Sequence, residues 1–183
     1  MVKKVHYTWK DVEHMIMTIN NLMFADNWRP DYIVGLTRGG LVPAVIMSNM
    51  TGILCHTLDV RFRDTDDNYS GPESNCWMSE DAFGYISGHD YKTSDSFEKK
   101  NILVVDDIND TGATFNWIKQ DWQSTCLPDN PNWNTVWGQN VRFAVMTENL
   151  SSEFGEVSYH VHEVNKAEED VWLVYPWENV GGY

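Results

Sequence analysis

The segment ILVVDDINDTGATF, residues 102–115, places three aspartates within five residues directly behind four aliphatic ones. Carboxylates are costly at the end of a buried strand, so their presence asks for a ligand. Asp110, Thr111, Gly112, Ala113 and Thr114 combine small residues, two hydroxyls and a helix start. Amides at a helix N-terminus point outward unsatisfied, and a glycine lets them wrap an anion closely, which describes a phosphate cradle. Capping of the helix by Asp110 or Thr111 is the ordinary alternative, and it leaves Asp106 and Asp107 unexplained. That adjacent pair suits the vicinal hydroxyls of a ribose, or Mg2+ held partly through water. By itself a DD pair is as often a solvated turn. Asp110, closer to a reacting centre, is the candidate proton acceptor.

A second loop, GLTRGG at residues 35–40, begins like a nucleotide-binding P-loop, but Leu41 and Val42 stand where that motif needs Lys and Ser or Thr. What remains is a strand ending in Thr37, Arg38, Gly39 and Gly40: a permanent charge beside glycines that permit close amide approach. In isolation it reads as a tight turn with an exposed arginine.

Taken together, the two loops resemble those of the type I phosphoribosyltransferases, and DVWLVYPWE at residues 170–178 is similar to the C-terminal hood of their purine (xanthine, guanine, hypoxanthine) branch. The likeness runs in order over residues 8–60 and 100–178. It implies an α/β fold, a mainly parallel sheet flanked by helices, with a small C-terminal hood. It also implies a Mg2+-dependent transfer of phosphoribose from phosphoribosyl pyrophosphate (PRPP) to a purine-type base. By the same likeness, Asp106 and Asp107 bind ribose and Mg2+, Asp110 to Thr114 the 5-phosphate, and Thr37, Arg38, Gly39 and Gly40 the pyrophosphate. Asp110 takes the proton, Trp172 stacks on the base and the Leu173 backbone reads its edge. The peptide between Thr37 and Arg38 is expected in an unusual conformation.

Three departures stand out. The lysine that purine members carry after the ribose helix is missing from FAVMTENLSS, leaving Asn149 as the candidate base contact. An acidic segment replaces a shorter catalytic loop, so residues 61–100 are expected to form a lid, with Arg61 and Arg63 at its base. The tryptophan-containing insert at 129–139 has no assignment. A PRPP-binding regulator without catalysis, or an enzyme for a non-purine acceptor, are the competing readings.

The elements that must position these residues follow from periodicity. Thr8 and Asp11 mark an N-cap, and Val12, Met15, Ile16, Ile19, Leu22 and Met23 recur at helical spacing. Strands are predicted over 32–36, 52–60, 101–105, 141–146, 157–164 and 171–174, and helices over 41–50 and 114–122. Alternating strand and helix favours a parallel sheet with ligands beyond its carboxyl ends, where both unusual turns fall.

Bulk properties agree. The 183 residues fit a single domain, 1–183, with the hood at 150–183. A net charge of -14 disfavours nucleic-acid and anionic-membrane partners, and no apolar run is long enough for a membrane span. Three scattered cysteines suggest neither disulfides nor zinc and fit a cytoplasmic setting. The family likeness implies a homodimer or higher homo-oligomer. His160 and His162 share a strand face without a third metal ligand, Cys55 beside His56 is a buried strand residue, and the acidic residues of 66–80 form a solvated loop.

Overall fold

The computed structural model describes residues 2–60, 76–85 and 98–178. Five parallel strands form the central sheet in the order β3-β2-β4-β5-β6: β2 (Tyr32–Leu36), β3 (Leu54–Leu58), β4 (Ile102–Asn109), β5 (Val141–Asn149) and β6 (His162–Val164). β2, β4 and β5 lie inside the sheet, which is why they read as continuous apolar runs rather than alternating ones. The mainly parallel α/β expectation is thereby met.

A core lies on each face. On one, α1 (Trp9–Ala25) and α2 (Leu41–Thr51) bury Val12, Met15, Ile16, Ile19, Met23, Ala44 and Met47 against Ile33, Leu103, Val105 and Met146. The start of α1 is fixed by a full capping box: Asp11 N–H donates to the Thr8 hydroxyl and the Asp11 carboxylate accepts from Thr8 N–H. Leu22, expected on the buried stripe, is exposed. On the other face, α3 (Cys76–Phe83) and α4 (Ala113–Thr125) cover Val34, Val104, Phe143 and Val145.

Sequence and structure part in several places. β4 runs to Asn109, four residues beyond the predicted end, so Asp106 and Asp107 belong to the strand rather than to a turn. Of the strand predicted over 157–164 only His162–Val164 joins the sheet ladder; before it, Ser158 and Tyr159 donate to the Phe143 carbonyl, and Tyr159 makes one isolated bridge to Ala144. The Tyr159 ring is buried beside Trp28 and Arg142, which draws the chain into the α1 side core. β1 (Lys3–His6), unforeseen, pairs in parallel with β7 (Val171–Val174), so the hood is a two-stranded sheet containing the N-terminal segment.

Within the expected lid, residues 76–85 instead form a structural buttress. Met78, Ser79, Ala82 and Phe83 are buried, Ser79 Oγ donates to the Trp122 carbonyl, and Tyr32 donates to Asp81 at 3.1 Å. The remainder of the lid, 61–75 and 86–97, and with it Arg61 and Arg63, lies outside the described residues. The unassigned insert contains a 3-10 turn, Pro131–Thr135, that seats Trp133 in the core. Trp133 stacks on Trp137 at 5.3 Å and donates its indole N–H to the Cys126 carbonyl at 2.8 Å, so the insert closes the α4 side of the core.

Candidate active site

Both singled-out loops meet at the carboxyl ends of β2 and β4. The link between Thr37 and Arg38 is a cis peptide, the unusual conformation implied for it. Thr37 hydroxyl donates to Asp59 at 2.7 Å and its amide to the Leu58 carbonyl, tying the loop to the end of β3. Arg38 is exposed, beside a cleft of about 540 Å³ bounded by Thr37, Asp59 and Val60.

Why this loop needs two glycines is now visible. A β-carbon on Gly40 would stand 2.1 Å from the Val105 carbonyl oxygen and 2.8 Å from Asp106 Cα, and one on Gly39 would stand 2.3 Å from Asp107 Oδ2. The loop therefore lies directly on the acidic strand end.

Asp106 Oδ1 accepts from Asp107 N–H at 2.9 Å, and Asp107 Oδ1 accepts from Ile108 N–H at 2.8 Å. Burial first, and then the neighbouring Asp107 charge, push the Asp106 carboxyl well above the ordinary carboxylate range. Burial likewise raises Asp107. Two half-buried acids with oxygens to spare form a site short of positive charge. Their hard oxygen donors fit a divalent cation such as Mg2+. Among the described residues no three His, Cys, Asp or Glu side chains converge, so such an ion would complete its shell with water and ligand oxygens.

Beyond the pair, Asp110, Thr111, Gly112 and Thr114 line a cleft of about 190 Å³ together with Asp106, Asp107 and Phe115. Gly112, at φ 86°, opens α4 without a side-chain cap, and a β-carbon there would strike Phe154 N at 2.5 Å. The Thr111 hydroxyl accepts from Ala113 N–H at 3.3 Å; the first turn otherwise faces the cleft as an anion cradle would.

The hood residues separate by side. Leu173 is buried in the α1 side core, whereas Trp172 is 56% exposed. Tyr175, fully buried, is the hood's anchor: its hydroxyl donates to the Asp107 carbonyl at 3.1 Å, lies 3.0 Å from Thr147 Oγ1, and its ring stacks between Tyr7 and Trp177.

Asn149 has a different setting from that of a free base contact. It is buried, its Nδ2 donates to the Asp110 carbonyl at 2.8 Å, and its Oδ1 accepts from Ser151 and from Lys166 N–H at 3.0 Å. Sequence reasoning missed three residues here. Lys166 places Nζ 2.9 Å from Asp110 Oδ1. Glu178, raised by burial and by the Asp107 charge, lies within electrostatic reach of the acidic pair. Glu148 is buried at the end of β5, bonded through Oε1 to Asn109, with Oε2 unpaired among the described residues. His160 and His162 take separate partners, Glu163 and Tyr7.

This arrangement of cis-peptide loop, acidic strand end and uncapped helix goes with a matched family: residues 1–120 match the phosphoribosyl transferase domain. The chain belongs to that family. It is 28% identical over 151 residues to a xanthine-guanine phosphoribosyltransferase of Cereibacter sphaeroides, covering 82% of this chain and 70% of the relative. It is 21% identical to a hypoxanthine-guanine phosphoribosyltransferase of Schizosaccharomyces pombe, covering 96% and 89%. The crystal structure of a purine phosphoribosyltransferase from Pyrococcus horikoshii shares the fold at a TM-score of 0.62 and 22% identity, over 100% of this chain and 98% of the other. No helix among the described residues is long and apolar enough to cross a membrane.

Proposed function

We propose that this chain transfers phosphoribose from PRPP to a nitrogen of a purine base, releasing pyrophosphate. The observation that carries the reading is the interlock of the Thr37–Gly40 loop with Asp106 and Asp107 beside the Asp110–Thr114 cradle. The names of the relatives supply the acceptor class.

In this reading the amides and hydroxyls of 110–114 hold the 5-phosphate, Asp106 and Asp107 the ribose hydroxyls, and Arg38 with the Gly39 and Gly40 amides the pyrophosphate. Fixed donors around the departing anion, and carboxylates near the sugar carbon that becomes cationic, lower the barrier without reorganisation. When bound by Asp106 and Asp107, Mg2+ would supply charge neutralisation of the pyrophosphate. Asp110 accepts the proton of the base nitrogen. Trp172, exposed in the hood, offers a stacking surface, and the Leu173 backbone a hydrogen-bonding edge. Asn149 acts through Asp110 rather than on the base. The reading includes a cytoplasmic homo-oligomer, which sedimentation would check.

The test is pyrophosphate release from PRPP and Mg2+ with guanine, hypoxanthine, xanthine, adenine, orotate and uracil offered singly. Release with a purine, lost about 10²-fold or more in Asp110→Asn while PRPP binding persists, is the expected result. Binding of PRPP with no release from any base would instead assign a regulatory role. Release with orotate or uracil alone would replace the purine acceptor by a pyrimidine.

A further inference from the structure

Asp110 is the proposed proton acceptor, yet its side chain is 47% exposed, and an exposed carboxylate at a loop tip has rotamer freedom that a proton transfer does not tolerate. Two groups restrain it. Lys166 Nζ sits 2.9 Å from Oδ1, with its own side chain only 26% exposed. Asn149 Nδ2 holds the Asp110 carbonyl at 2.8 Å and reaches Oδ1 at 3.5 Å. The same Asn149 accepts the Lys166 amide at 3.0 Å, so the end of β5 pins the lysine's backbone while the lysine's ammonium pins the carboxylate. Ser151 N–H and hydroxyl complete the Asn149 oxygen, which fixes the amide orientation without ambiguity.

We propose that Lys166 is a positioning residue for Asp110, held in place by Asn149; the proposal rests on Asp110 being the proton acceptor. The ammonium occupies Oδ1 and leaves Oδ2 to the base. As the base nitrogen attacks the sugar carbon, its N–H bond breaks and an O–H bond forms on Oδ2. The nitrogen's electron pair makes the new bond to carbon, and the carbon–oxygen bond to pyrophosphate breaks with its pair on oxygen. Asp110, now neutral, loses its attraction for Lys166, so the contact weakens once the proton has moved. Lys166 lies five residues before Val171, the first residue of the strand that carries Trp172, and the segment between them links the acceptor to the hood. A partly exposed, single ion pair of this kind adds little to stability, so its effect is expected in turnover rather than in folding.

The experiment is a double-mutant cycle on turnover, with PRPP binding followed by calorimetry and folding by thermal melts. Lys166→Met is expected to lower kcat by about tenfold to a hundredfold, with PRPP affinity and melting temperature unchanged. Lys166→Arg, which keeps the cation, is expected to restore most of that loss. In an Asp110→Asn background Lys166→Met is expected to add nothing, because its target is gone. Equal losses in both backgrounds, or a loss of PRPP binding parallel to the loss of kcat, would overturn the proposal while leaving Asp110 as acceptor. Wild-type kcat in Asp110→Asn would overturn the acceptor role itself, and this proposal with it.

Discussion

Gly40 has backbone, not side chain, as its nearest neighbour, and backbone cannot swing aside. With the Val105 oxygen 2.1 Å from any added β-carbon, Gly40→Ala must push the Thr37–Gly40 loop away from β4 by something near 1 Å. Displacements of that size cost about 10²-fold where geometry governs the chemistry. PRPP affinity and kcat are therefore expected to fall together in Gly40→Ala with the melt little changed, and calorimetry beside a turnover assay checks it. Wild-type affinity would show that the loop does not touch the ligand. The glycines and aspartates of this contact were legible in the sequence because both loops carry local patterns of small residues, acids and one arginine. Lys166 was not, since a single lysine in NKAEED has no pattern, and its carboxylate lies in a distant part of the chain. Asn149 was noticed for its donor and acceptor capacity, but which partner takes them is a tertiary fact.

At the scale of elements, the hood packs on the sheet through Val171, Leu173 and Tyr175, and the Tyr175 hydroxyl ties it to the acidic strand end. Tyr175→Phe would leave Thr147 Oγ1 and the Asp107 carbonyl without that partner in a buried setting, a loss of about 1–3 kcal/mol in unfolding free energy by urea titration. An unchanged midpoint would mean that water replaces the hydroxyl. The insert makes a stronger claim. Trp133→Ala removes a fully buried indole and its bond to Cys126, so about 3–5 kcal/mol is expected, with PRPP binding retained at a temperature where the variant is folded. Periodicity located α1, α2 and the central strands because long amphipathic or uniformly apolar runs leave few alternatives. It missed β1 and α3, which are short. β1, KKVH, is stabilised by pairing with a strand from the other end of the chain, and α3 by burial under the sheet; neither cause is local. It also ended β4 too early, since two aspartates argue against a strand unless a ligand site is there to use them.

Among the described residues, the acids whose carboxyls are raised gather at one end of the sheet, and this gives stability a distinctive pH dependence. Asp106, Asp107, Glu148 and Glu178, all near the carboxyl end of the sheet, stand above their ordinary range, chiefly through burial. A carboxyl raised on folding binds its proton more tightly in the native state than in the unfolded chain, whose values lie near about 4. Stability contributed by that tighter binding is present below the unfolded value and is lost as pH rises through the folded one. Asp11, held below its range by Thr8, works in the opposite sense, but only as pH falls beneath the unfolded value. In EDTA, the unfolding midpoint is thus expected to decline as pH is raised from 5 to 8. Self-repulsion at a net charge of -14 would give a decline of the same sign, but salt near 1 M shortens the screening length to about 3 Å and suppresses it. A decline that persists in high salt and flattens in Asp107→Asn belongs to these desolvated acids; one that vanishes in salt belongs to the surface. A midpoint that rises over this range would contradict both. Added Mg2+ should recover more stability at pH 8 than at pH 5, because only ionised carboxylates bind it, and Asp107→Asn should be more stable than the parent in EDTA yet gain less from the metal. That reversal is what a site kept at the expense of stability predicts: charges gathered for a ligand weaken the fold until the ligand arrives.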